Sequence, residues 1–243
     1  MPDALEPAQA QSRVRLAGPL AEGLFVLLGI LGAFGLQAWW EYRSDRLDEA
    51  ARLRSVHAEL LEARDGYQLH FDYLDRQDRL GAVILHEAED YSGADSRMDS
   101  LLFRLGPFDE FVPPLAAYED AVAGGGLSLI RSAEIRRALS RYGTAVRRDQ
   151  EEQDRVRDYF AENISPLWAQ FLNTRNQLAT GGRLPEGYPT VSVRSRYEEL
   201  FRDQRFSNQI AARSIQTMRV RSRHEAVLEE IARLLDLLPA DSL

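Results

Sequence analysis

Hydrophobic positions along this chain fall into two regimes, one unbroken and one periodic. From Leu20 to Trp40 the sequence reads LAEGLFVLLGILGAFGLQAWW. About 21 residues at a helical rise cover roughly 30 Å, the thickness of a bilayer's hydrocarbon core. Glu22 stands near the start, within reach of headgroups, and Gln37 lies one turn from the end. Trp39, Trp40 and Tyr42 group the amphipathic aromatics that favour a membrane interface. A charged stretch, Glu41 through Asp48, then stops the apolar run. The pattern predicts a single transmembrane helix over 20–40, because a buried helix of a water-soluble protein rarely runs so long without a charged face. A cleaved leader with Arg13 and Arg15 as its basic segment fits less well. Bulky Trp39 and Trp40 follow Ala38, where cleavage wants small residues. The reading is an uncleaved signal anchor.

Beyond Glu41 the apolar positions recur at helical spacing. Leu53, Val56, Leu60, Ala63, Tyr67, His70 and Leu74 form a heptad-like stripe. No Pro interrupts the chain from Leu20 to Gly106, so the span is expected to continue into this helix as one rod. Gly66 and Gly81 weaken it locally, and a second helix is expected over 77–91. Gly106-Pro107 and Pro113-Pro114 mark a turn, followed by a short helix over 114–123. Gly124-Gly125-Gly126 has neither a preceding strand nor a following Lys, so it reads as a helix stop and not a phosphate cradle. Ser132 then N-caps a helix carrying Ile135, Leu139, Tyr142, Val146 and Val156 to about Leu172, with a kink before Pro166.

A loop is expected over 174–190, rich in Gly and Pro. The closing helix, 197–238, carries the stripe Ile210, Ser214, Thr217, Arg221, His224, Leu228, Ile231, Leu235 and Leu238. No segment alternates long enough to predict a strand. The expected fold is all-α: an N-terminal transmembrane helix continuing into an elongated helical bundle. Its parts are a disordered tail over 1–19, the span over 20–40, the bundle over 41–238 and a second tail over 239–243.

Charge and composition narrow the address. The net charge is −8, which argues against nucleic acid as a partner because phosphate contacts need concentrated basic surface. Mean hydropathy is −0.36, so the membrane signal is local. All 30 basic residues are Arg, which reads as compositional bias and not as a recognition device. There is no Cys, which excludes disulfides, zinc–thiolate sites and cysteine nucleophiles together. Arg13 and Arg15 favour a cytoplasmic N-terminus, with the bundle on the periplasmic or extracellular side. Arg43, Arg46, Arg52 and Arg54 point the other way on a plain count, though they alternate with acids. Gly29-x-x-x-Ala33 leaves a shallow strip on the span that allows a homodimer.

Chemistry is scarce. His86-Glu87-Ala88-Glu89-Asp90 starts like a zinc-protease helix but has Asp where the second His belongs. No Glu-x-x-His pair offers a di-iron site, and no Gly-x-Ser-x-Gly elbow offers a nucleophile. No catalytic residue, metal or cofactor is predicted. One cluster stands out: His70, Arg221 and His224 sit on inward stripes of the first and last helices, with Asp72 or Glu59 as the nearby carboxylate. Such a polar layer either senses pH or an anion, or merely fixes register as polar seam positions do in coiled coils.

Glu22, the run LFVLLGILGAFGLQAWW, Glu41 and Arg43 resemble the start of a family of uncharacterised bacterial single-span inner-membrane proteins with a helical soluble domain. AVAGGGLSLIRSAEIRRALSRY, ending at Tyr142, and LFRDQRFSNQI, from Leu200 to Ile210, resemble the same family. The resemblance implies a membrane-anchored helical protein and hands over no catalytic residues. The expected role is a non-enzymatic interaction or sensory module touching the lipid bilayer and an unidentified protein partner. The alternative is a ligand-binding or enzymatic bundle with a pocket near Arg221 and His224.

Overall fold

The computed structural model describes residues 17–180, 182–188 and 193–238, with side chains from residue 26 onward, Gly124 apart. Among them 84 % are helical and none forms a strand, so the fold is all-α. The elements are α1 (Ala17–Glu89), α2 (Asp95–Leu105), α3 (Ala116–Val122) with a 3-10 turn (Ala123–Ser128), and α4 (Ala133–Tyr159). A π turn (Phe160–Ile164), α5 (Ser165–Phe171), α6 (Thr174–Thr180), α7 (Tyr197–Arg202) and α8 (Gln204–Leu237) complete the order. Both expected tails, 1–16 of the first and 239–243 of the second, lie outside the described residues.

The chain divides into two units, Met1–Ala50 and Ala51–Leu243. In the first, α1 exposes apolar side chains in every direction from Val26 to Leu47. Among the described residues no helix is long and apolar enough to cross a membrane. The span predicted over 20–40 is therefore not carried by the described residues; the side chains of 20–25, Glu22 included, fall outside them.

In the second unit the stripe read on α1 is buried at every position, from Leu53 to Leu74. It packs with α4 through Leu139, Tyr142 and Val146 and with α8 through Val227, Ile231 and Leu234. A second cluster at the other end joins Ile84 of α1 to Leu102, Trp168, Leu200 and Ile210. Between them lie Leu74, Val156 and Val220. The layers thus stack as Tyr67, Val146 and Val227, then Leu74, Val156 and Val220, so α8 runs antiparallel to α1 and α4.

Several boundaries differ from the sequence reading. No separate helix covers 77–91: α1 runs through Gly81, where even an added Cβ would meet only Ile210 and Ser214 at ordinary contact distance. The segment 95–105 forms α2, and the expected loop begins with α6 instead. Asp203 divides the last helix into α7 and α8, its carboxylate accepting from the Arg205 N–H at 2.9 Å. The kink before Pro166 is the π turn: Pro lacks an N–H and its ring crowds the carbonyl one turn back, and a wider turn relieves both. Gln209 of α8 donates to the Asn163 carbonyl in that turn at 2.7 Å. As read, Ser132 caps α4, accepting from the Ile135 N–H at 3.2 Å.

Candidate functional site

Between the layer of Tyr67, Val146 and Val227 and the layer of Leu74, Val156 and Val220 the bundle places a polar one. It consists of His70 from α1, Asp149 and Gln153 from α4, and His224 from α8, all buried. His224 Nδ1 lies 2.7 Å from Asp149 Oδ1. His224 Nε2 lies 2.7 Å from His70 Nδ1, and His70 Nε2 lies 2.9 Å from the Asp109 carbonyl oxygen. The second Asp149 oxygen accepts from Gln153 Nε2 at 2.9 Å and from the Tyr67 hydroxyl at 3.3 Å.

The acceptors at the two ends set the proton count. Asp109 offers a carbonyl and Asp149 a carboxylate, and neither an ionised carboxylate nor a carbonyl donates. Three contacts then need three hydrogens on two imidazoles, one more than two neutral rings carry. Burial lowers the His70 pKa, with the neighbouring His224 adding to it against Asp109 and Asp149. His224 thus sits between the Asp149 carboxyl and His70, and His70 between His224 and the Asp109 carbonyl. Burial, with Asp149 adding to it, raises Tyr67 far above its ordinary range, so its hydroxyl keeps its proton and donates.

The loop over 106–114 closes this layer. Gln153 Oε1 accepts from the Phe111 N–H at 2.8 Å while its Nε2 donates to the Phe111 carbonyl at 3.0 Å. The Asp109 N–H donates to the Tyr73 hydroxyl at 2.9 Å. The Phe111 ring meets Tyr67 edge-on at 4.7 Å and stacks near His70 at 5.9 Å. Where this loop turns inward its backbone needs partners, and side chains of the bundle supply them.

Of the residues singled out from sequence, His70 and His224 come together and Arg221 does not. Arg221 lies one position off the buried seam of α8, partly exposed, pairing with Asp75 and sitting 5.5 Å over the Phe71 ring. The carboxylate is neither Asp72 nor Glu59. Asp72 is exposed, and Glu59 instead accepts from the Ala117 and Tyr118 N–H groups at 2.7 and 2.9 Å, capping α3. Asp149 was missed although Tyr142, Val146, Asp149, Gln153 and Val156 keep stripe spacing on α4; polarity hid it. Trp39, Trp40 and Tyr42 lie exposed on α1, and Glu22 lies outside the described side chains.

Every imidazole nitrogen of the layer is engaged by a neighbour, which leaves no lone pair for a metal; among the described residues no group is arranged to hold one. The chain matches no family model, no curated protein and no solved structure. What the layer offers is a continuous line of polar contacts from Asp149 through both imidazoles to the Asp109 carbonyl, tying α4, α8 and α1 to one loop.

Proposed function

We propose that this chain is a non-enzymatic, membrane-anchored sensory or interaction module whose helical bundle responds to what it meets on one side of a bilayer. One observation carries the anchor. Val26, Leu27, Leu28, Ile30, Leu31, Phe34 and Leu36 are all exposed, around every side of one helix, and Phe34 and Trp40 reach 66 % and 67 %. Water does not tolerate such a surface; a helix apolar all round belongs in a core or a bilayer. Where the apolar run ends, Gln37 donates to Glu41 at 3.0 Å and Arg43 lies 5.9 Å over Trp39, an arrangement suited to an interface. The sequence of 20–25 extends the apolar run to membrane length.

The sensory half of the reading rests on the buried His70–His224–Asp149 layer, a titratable contact tying α1 and the loop over 106–114 to α8. A cytoplasmic N-terminus, an outward-facing bundle and a homodimer through Gly29 and Ala33 belong to the same proposal. An added Cβ at Gly29 would meet nothing within 4 Å, which leaves room for a second helix.

Fractionation tests the anchor. The full chain should stay in the membrane pellet after an alkaline carbonate wash, and Leu28→Glu with Leu31→Glu and Phe34→Glu should release it. Wild-type protein recovered in the supernatant would overturn the reading. A reporter fused after Leu243 and active only outside the cytoplasm tests the orientation, and a cytoplasmic signal reverses it.

A further inference from the structure

Beside the polar layer, the second unit holds a cleft of about 860 Å³, within the range of small-molecule sites. Its walls come from α1, α2, the π turn, α5 and α6, with Leu80, Phe103, Phe160, Trp168, Leu172 and Leu178 supplying apolar surface. Arg76, Arg104 and Arg183 stand exposed along it, and Asp109 is its single carboxylate. None of the three arginines makes an ion pair with a described residue; Arg183 lies only over the Phe103 ring, at 5.5 Å. Behind the wall a fourth, Arg213, is buried, donating to the Gly106 carbonyl at 2.7 Å and lying 5.5 Å from Phe160. On a chain of net charge −8 this concentration of unpaired cations around an apolar hollow is a local reversal of sign.

Two donors in the wall are also unmet. Trp168 Nε1 and Gln177 Nε2 are buried donors without a hydrogen-bond partner, on residues 7 % and 8 % exposed. Leaving a buried donor unmet is unfavourable. Both are closed off from solvent as the cleft stands, so an acceptor reaches them only if the side chains turn toward it.

We propose that this cleft binds a small amphiphilic anion, a carboxylate or phosphate head on an aryl or alkyl body. Guanidinium groups recognise both heads through paired N–H donors, and the apolar walls take the body. The inference deepens the sensory reading by naming what is sensed, and it stands without the anchor. Tyr73 and Asp109 line the cleft and also hold His70, by a ring stack at 5.0 Å and a hydrogen bond at 2.9 Å. An occupant therefore presses on the same loop that covers the polar layer.

The test titrates the full chain, in a neutral detergent, with phenylbutyrate, phenyl phosphate, phenylbutanol and phenylbutylamine, by calorimetry and thermal unfolding. At least one of the two anions should bind saturably and raise the melting temperature, and the preferred one identifies the head. The alcohol should bind about tenfold more weakly, and the amine not at all. Arg76→Glu with Arg104→Glu should abolish anion binding, and Ala169→Trp should fill the cleft and do the same, each with helicity unchanged by circular dichroism. Arg137→Ala, exposed near the start of α4 and outside the cleft lining, should bind as wild type. No saturable anion binding, equal binding of the alcohol, or full binding by the Arg76/Arg104 variant overturns the proposal. A chain that proves to need no detergent is titrated in plain buffer, so loss of the anchor reading leaves this result legible.

Discussion

His70 Nδ1 lies 2.7 Å from His224 Nε2, so two imidazoles 154 positions apart in sequence share one hydrogen across the α1–α8 contact. That contact is one of three in a line ending on Asp149, whose carboxyl lies 2.7 Å from His224 in a fully buried setting. Removing one member of a buried charged pair strands the other and costs about 3–5 kcal/mol. Asp149→Leu should lose that much in urea unfolding. Arg221→Ala, whose ion pair with Asp75 is partly exposed on both sides, should lose no more than about 1 kcal/mol. Similar losses for the two variants would mean that the buried layer carries no special charge.

Acid should loosen the same layer. Burial holds the folded His70 pKa below its ordinary 6.5, so near that pH the unfolded chain takes up a proton that the folded ring refuses. Stability rises with pH wherever the unfolded state binds more protons. It should therefore be intact above about 6.5 and decline as pH falls toward the lowered folded value, by at most about 1.4 kcal/mol per pH unit for this one group. A second proton also has no room in the contact: two N–H groups would face each other at 2.7 Å. Urea midpoints measured at about pH 7.5 and 5.5 should fall more steeply for the wild type than for His70→Phe. Parallel declines would assign the acid sensitivity to other groups.

Much of the bundle was legible because its seams repeat. Each predicted core position on α1 is buried, and Ser132 caps α4 as its spacing suggested. On the closing stripe Ile210, Thr217, His224, Ile231 and Leu238 are buried as read, but the positions between them slip by one residue, since after Ile210 either Arg213 or Ser214 satisfies a period near 3.5. The chain buries Arg213, Val220, Val227 and Leu234. An arginine looks wrong for a core until its partner is known, and that partner, the Gly106 carbonyl, is 107 positions away. Asp149 stayed hidden for the same reason: a carboxylate on an apolar stripe makes sense only beside His224. The cleft was invisible altogether, as it is assembled from five elements and a loop with no shared motif.

Gly66 shows how a local rule can mislead. As a helix interior residue it costs about 1 kcal/mol relative to Ala, which the sequence reading took as a weak point. An added Cβ there would fall 2.4 Å from Cζ of Phe111, so the glycine is the notch in which that ring sits against Tyr67. Gly66→Ala should be net destabilising by up to about 2 kcal/mol, because overpacking of about 1–3 kcal/mol works against a gain in helix propensity of about 1 kcal/mol. Phe111→Leu in the Gly66→Ala background should recover part of the loss. If Gly66→Ala raises the melting temperature, the ring does not hold its place.

Gln153 supplies the last and most local prediction. Its amide makes a two-point contact with the Phe111 backbone and also donates to Asp149. It therefore couples the covering loop to the polar layer through a single side chain. Gln153→Ala leaves the Phe111 N–H and carbonyl without these partners, along with one lone pair of Asp149. The loss should be about 1–3 kcal/mol in global stability, and it should not spread evenly. Amide exchange at Phe111 should rise far beyond what global unfolding accounts for, while the amides of Leu60 and Ile231, deep in the α1–α4–α8 core, should change only by the global amount. A uniform change at all three would show that the loop is held by its phenylalanines alone, with Gln153 adding nothing specific to it.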